Sequence, residues 1–123
     1  MNIRRVFILI IAFAAALQII ACKHKDEATT AIITVVDVAG DPVEGASVMF
    51  FLSPEKVKGK LIEGIPETLV TNSAGKVEKR FKNGVVVDIK AWKILSPGDT
   101  LKSNTTFILL EPGETGEKKL VIK

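Results

Sequence analysis

The sequence predicts an all-β domain built as a two-sheet sandwich, and three observations carry that prediction. Short runs rich in Val, Ile and Thr alternate from Ala31 onward with clusters of Gly, Pro, Asn and Asp. Several of the runs alternate apolar and polar side chains with a period of two, and none of them carries a helical period. The turn clusters recur at roughly 8–12 residues, the spacing of short strands in two packed sheets. A small closed barrel is the alternative architecture that the same pattern allows.

Ile32 to Val38 is the first expected strand, closed by Ala39-Gly40-Asp41-Pro42, where proline sets φ and glycine permits a left-handed turn. Val43 to Leu52 is the second. Val48, Phe50 and Leu52 fall on one of its faces and Met49 and Phe51 on the other, so apolar demand on both sides predicts a central strand. Residues 53–66, with two prolines, two glycines and three lysines, form the one long irregular connection and are expected at the surface. Thr68 to Thr71 is a short third strand, followed by the tight turn Asn72-Ser73-Ala74-Gly75.

Lys76 to Lys82 is the fourth strand, with Val77 and Phe81 inward and Lys76, Glu78, Arg80 and Lys82 toward water. Asn83-Gly84 predicts a type I′ hairpin, because both central residues of that turn need φ > 0, and so strands four and five are expected to pair directly. In the fifth strand Val85, Val87, Ile89 and Ala91 form an apolar face opposite Asp88 and Lys90, with Trp92 ending the polar side. Ser96-Pro97-Gly98-Asp99 turns the chain into Thr100 to Leu110, and Glu111-Pro112-Gly113-Glu114 turns it into Lys118 to Lys123. Seven strands result.

Two stretches narrow the fold further. Val36-Asp37-Val38-Ala39-Gly40-Asp41-Pro42-Val43-Glu44-Gly45-Ala46-Ser47-Val48 resembles the "V-x-D-x-x-G-x-P-V-x-G-A-x-V" opening of carboxypeptidase-regulatory-like, transthyretin-like (Ig-like) domains, and Thr71-Asn72-Ser73-Ala74-Gly75-Lys76 is similar to the same family's "T-[DN]-x-x-G-x" turn. The resemblance spans most of 31–123 and implies a seven-stranded Greek-key β-sandwich. It implies no chemistry, because its motif residues shape turns. The loop at 53–66 departs from the pattern and leaves the pairing of strands two and three open.

The N-terminal part reads differently. Met1 to Arg5 is cationic, and Val6 to Ala21 is sixteen residues long with Gln18 as its only polar side chain, the n-region and h-region of a secretory signal helix. A spanning helix needs about 20 apolar residues, so a transmembrane anchor is the weaker reading. Ile19-Ile20-Ala21-Cys22 resembles the lipobox of bacterial lipoproteins, which implies diacylglycerol on the Cys22 thiol and cleavage between Ala21 and Cys22. Each buried methylene contributes about 0.8 kcal/mol, so two or more acyl chains hold a protein stably on a bilayer.

Residues 1–21 are thus expected to be a signal peptide, 22–30 a lipidated flexible tether and 31–123 the sandwich. Lys23 in the second mature position favours the outer membrane of a Gram-negative envelope. Lys25, Asp26 and Glu27 resemble the short surface-export signals that follow the lipidated cysteine in some lineages; a solvated charged linker explains them equally well.

Composition limits the function classes. Of 17 Lys and Arg, Arg4 and Arg5 lie in the expected signal, which leaves 15 basic against 14 acidic residues and a balanced mature charge of +1. Without a basic stripe or aromatic interleaving, no nucleic-acid partner is expected. One cysteine excludes an internal disulfide, and once acylated it leaves no thiol for chemistry.

His24, the single histidine, lies two residues from the anchor, out of reach of a folded site. Asp37, Asp41, Glu44, Asp88 and Asp99 lack the close spacing of a calcium loop, so neither a metal nor a cofactor is expected. Trp92 is the one candidate for a sugar-stacking aromatic, and the favoured reading is a strand-end residue capping the core, because large aromatics contribute most through burial. Asp99-Thr100-Leu101 fits a short bacterial O-glycosylation pattern, and Asn104-Thr105-Thr106 fits an N-glycan acceptor that has no meaning in a bacterial lipoprotein.

The expected function is therefore non-catalytic: a membrane-anchored envelope module acting as an adhesion, scaffold or accessory subunit. The alternative is a binding lipoprotein that recognises a protein, protease, toxin or glycan through loops 53–66 and 93–99.

Overall fold

The computed structural model describes residues 28–57 and 62–123. The expected signal peptide, Ala21, Cys22, His24 and the Lys25-Asp26-Glu27 triplet lie outside the described residues. The described chain is almost entirely β: β1 (Thr29–Val36), β2 (Ser47–Phe51), β3 (Glu67–Val70), β4 (Lys76–Phe81), β5 (Val85–Ser96), β6 (Asp99–Lys102), β7 (Thr106–Leu110) and β8 (Thr115–Val121), with one helical turn, α1 (Pro54–Val57), after β2. The strands form a three-stranded sheet in the order β4-β1-β8 and a five-stranded sheet in the order β3-β2-β5, with β6 and β7 both on the far edge of β5.

Alternation builds the core. Every second residue of β1 (Ala31, Ile33, Val35), β4 (Val77, Phe81), β2 (Val48, Phe50), β5 (Val87, Ile89, Ala91) and β7 (Ile108, Leu110) is buried in one cluster shared by the two sheets. Phe50 of β2 meets Phe81 of β4 edge-to-face across the sheets, with centroids 6.3 Å apart. As expected, β2 is central, lying antiparallel between β3 and β5. β1 is central in the other sheet, antiparallel to β4 and parallel to β8. It begins at Thr29, inside the residues read as tether, and the buried Thr29 hydroxyl accepts the Gly113 N–H at 3.0 Å.

Two expectations are corrected. β4 and β5 do not pair: β4 lies on β1, and β5 lies on β2, β6 and β7. Asn83-Gly84 is a crossover between sheets, and neither residue has the positive φ of a type I′ turn. Gly84 serves close approach instead, since a Cβ there would lie 2.7 Å from Pro112 Cδ and 2.9 Å from the Leu110 carbonyl oxygen.

The second correction concerns Thr100 to Leu110, expected as one strand. It is broken into β6 and β7, so eight strands stand among the described residues where seven were expected. Both pieces run antiparallel along the same edge of β5, and between the pairs Trp92↔Lys102 and Ile89↔Thr106 the outer strand carries one more residue than β5. This is bulge geometry, and it inverts side-chain parity, so that Lys102 and Phe107 share the outer face. Ser103 fills the break: its N–H donates to the Ala91 carbonyl at 2.9 Å, and its hydroxyl accepts the Ala91 N–H at 2.8 Å.

The long connection is less superficial than expected. Ile62 and Ile65 pack against the core, and Glu63 pairs with Lys82 at 3.0 Å.

Candidate functional site

At the first corner one acidic side chain shapes the backbone. Asp37 Oδ1 accepts the N–H groups of Ala39 at 2.9 Å and Asp41 at 3.0 Å, an Asx arrangement that holds the turn. Among the described residues no group of three or more His, Cys, Asp or Glu is placed to hold a metal ion.

The two stretches that carry the family resemblance meet in space. Thr71 Oγ1 accepts the Ala46 N–H at 2.9 Å and donates to the Val43 carbonyl at 2.6 Å, while the Gly45 N–H donates to the Thr71 carbonyl at 3.1 Å. The Gly75 carbonyl accepts the Val35 N–H at 2.7 Å. Gly75 has φ +73°, and a Cβ on it would lie 2.6 Å from the Val35 carbonyl oxygen. Asn72 Oδ1 closes the turn by accepting the N–H groups of Ala74 and Lys76, both at 3.0 Å. Residues about 30 positions apart thus form one rigid corner.

Among the described residues two charged side chains are buried. Lys79, on the inner face of β4 between Val77 and Phe81, is 8% exposed. Its Nζ reaches Glu67 of β3 at 3.2 Å and lies 5.3 Å from the centroid of the Phe81 ring, joining the two sheets at their margin. The signal was its parity with Val77 and Phe81, which outranks its charge.

Asp88, only 3% exposed, sits on the outer side of β5 beneath the chain that leaves β2: its Oδ2 accepts the Ser53 N–H at 3.0 Å and the Ser53 hydroxyl at 2.7 Å. Replacing Asp88 by alanine strips the Ser53 amide of its acceptor and should lower stability by about 1–3 kcal/mol. Urea unfolding checks it, as a lower midpoint at an unchanged slope.

The outer faces of the sheets differ in kind. On the three-stranded sheet the outward positions are mainly mixed charges, Lys76, Glu78, Arg80, Glu117 and Lys119, around Ile32 and an exposed Val121 at the end of β8. On the five-stranded sheet the outward positions carry Val70, Val86, Phe107 and Leu109, the last two 53% and 60% exposed. Met49, Phe51 and Trp92 continue that face, half-buried. The cations along it are Lys90, 5.0 Å from the Phe51 ring centroid, Lys102 opposite Trp92, and, at the rim, Lys118, 5.9 Å from the Phe107 ring centroid.

Trp92 stands well inside the sheet, paired with Ser47 on one side and Lys102 on the other, and does not cap the core. Beyond it, residues 93–96, expected as loop, continue β5 and return through the turn at Pro97-Gly98 as β6; this arm exposes Ile94 and Leu95. Asp99 and Thr100 lie on the arm and Asn104-Thr105 in the break between β6 and β7. No protein-family model matches the chain, and no curated protein matches it.

Proposed function

We propose that the protein is a non-catalytic envelope lipoprotein: cleaved before Cys22 and acylated there, it holds its sandwich at the outer membrane of a Gram-negative cell as an adhesion, scaffold or accessory subunit. One observation carries the docking role, the contrast between a mixed-charge outer face on one sheet and an exposed apolar face on the other. Contiguous apolar surface of that kind marks contact with another macromolecule. The occupant proposed is a partner protein with an apolar surface and an acidic group at its rim, because Lys118 borders the face beside Phe107 while Asp88 is buried under Ser53.

The finer fold reading is the Greek-key sandwich of carboxypeptidase-regulatory-like domains. The interlocked corner of Gly45, Thr71 and Gly75 supports it, and so does the shared edge of β6 and β7, which together occupy one strand position. A second reading, a lipoprotein that grips its partner through residues 53–66 and 93–99, is favoured by the exposed Ile94 and Leu95 of the arm.

Both parts of the leading reading are tested in intact cells. Metabolic fatty-acid label should appear on the native chain and vanish in Cys22→Ser, which should also stay uncleaved; persistent label refutes the anchor. A photo-crosslinking residue at Leu109 should give one discrete adduct that Phe107→Asp abolishes, while the same residue at Glu78 gives none. Equal adducts from both faces, or none from Leu109, refute the docking face, and an adduct only from Leu95 transfers the role to the arm.

A further inference from the structure

On the outer face of the five-stranded sheet, away from Phe107 and Leu109, lies a concavity of about 280 Å³ lined by Met49, Lys90, Ala91, Trp92, Lys102 and Ser103. We propose that it binds an acidic saccharide, with the Trp92 indole stacking on a sugar ring and Lys90 and Lys102 holding the carboxylate.

Strand register builds the site. Trp92 and Lys90 project from the same side of β5, two residues apart, and Lys102 stands directly opposite Trp92 on β6. Met49, opposite Lys90 on β2, supplies an apolar wall. Ser103 belongs to the break between β6 and β7, and strand irregularities of this kind are enriched beside binding sites, where they re-aim side chains.

Among the described residues the lining contains two ammonium groups and no carboxylate, and neither lysine forms an ion pair. The Trp92 indole N–H likewise makes no hydrogen bond to the described residues and is not sealed from solvent. A half-buried ring, an N–H donor open to solvent and two cations without a carboxylate partner among the described residues, Lys90 resting only on the Phe51 ring, together match a ligand with an apolar ring face, acceptor oxygens and negative charge, which describes a uronic acid. The volume falls just below the range of about 300–1,000 Å³ typical of drug-sized ligands, so it suits one ring with its substituents.

An acidic peptide offers the same charge but fits the site less well. Peptides join sheets at a free strand edge, and here β5 is hydrogen-bonded on both sides, to β2 and to β6. A single tryptophan and a balanced net charge also disfavour a nucleic acid, which wants several stacking platforms along a cationic groove.

The chain reports on itself, because Trp92 is its one tryptophan and tyrosine is absent. Titrating the full detergent-extracted protein with an oligomer of galacturonic acid should change Trp92 fluorescence saturably. Lys102→Gln and Lys90→Gln should each weaken binding about tenfold, which corresponds to about 1.4 kcal/mol. Trp92→Phe keeps a stackable ring, and Trp92→Ala removes it; by calorimetry the first should retain binding and the second lose it, with circular dichroism verifying that both fold. A neutral oligosaccharide of equal length should bind at least about tenfold more weakly. Absence of a saturable response, equal affinity for the neutral sugar, or equal affinity of the Trp92→Ala variant overturns the proposal. Tighter binding of oligoglutamate than of the uronide reassigns the site to an acidic peptide and overturns it too. None of these outcomes depends on the Leu109 crosslink.

Discussion

Gly75→Ala should be among the most damaging single substitutions in the described part of the chain, lowering stability by several times the cost of Gly98→Ala. Both glycines have left-handed backbone, at φ +73° and +86°, so each substitution incurs the same conformational penalty of about 1–2 kcal/mol. Their surroundings differ. Nothing lies within 4 Å of a Cβ on Gly98, whereas a Cβ on Gly75 would sit 2.6 Å from the Val35 carbonyl oxygen and 3.1 Å from Val43 N.

Both of those contacts are backbone, so relief requires β1 or the following corner to move. That movement would break the Val35 N–H to Gly75 carbonyl bond and disturb the Thr71 bridge. For a domain of this size each kcal/mol shifts the melting temperature by about 4–8 °C. Thermal melts of the two variants, side by side, isolate the steric part as their difference. Equal melting temperatures would mean that the two motif segments do not pack as described.

The second large effect is expected at Phe50. Its ring is fully buried, on a central strand, and touches Phe81 of the opposite sheet. Phe50→Ala should cost about 3–5 kcal/mol, the sum of lost transfer free energy and the cavity left between two sheets whose backbones cannot collapse together. Of this, about 0.5–1.5 kcal/mol belongs to the edge-to-face pair, and a double-mutant cycle with Phe81→Leu extracts it. A cycle that closes with no coupling would show that the two rings contribute through burial alone.

Much of the fold was legible because it rests on parity. Val48 and Phe50, or Val87, Ile89 and Ala91, announce buried faces by spacing alone, and Asn72 with Gly75 announces its turn by backbone chemistry. Partner choice was not legible. Asn83-Gly84 is a strong local hairpin signal, yet β4 and β5 separate into different sheets, since the absence of a side chain on Gly84 is used to pass Pro112 and Leu110.

The bulge at 103–105 is equally illegible in the sequence, because Ser-Asn-Thr is compatible with a plain strand and the parity change shows only against β5. That change creates the candidate site. Trp92 and Lys90 were visible as polar-face residues, but Lys102 joins them through register, which no local pattern encodes. Lys79 shows the converse case: its position in the alternation places it inward despite its charge.

The parallel pairing of β1 with β8 has a mechanical consequence. Thr29 lies at the end of β1 nearest the proposed anchor, and Val121 lies at the far end of β8 beside Val36. Tension applied between the N-terminal side and the C-terminal end pulls these neighbouring strands in opposite directions along their length. The hydrogen bonds from Thr30 to Val36 then carry the load together in shear and do not open one after another as in unzipping. Central placement adds the β4 ladder to the resisting set. Survival under a pull is governed by the unfolding rate, so a domain wired this way can hold force at its terminal strands while its equilibrium stability stays modest.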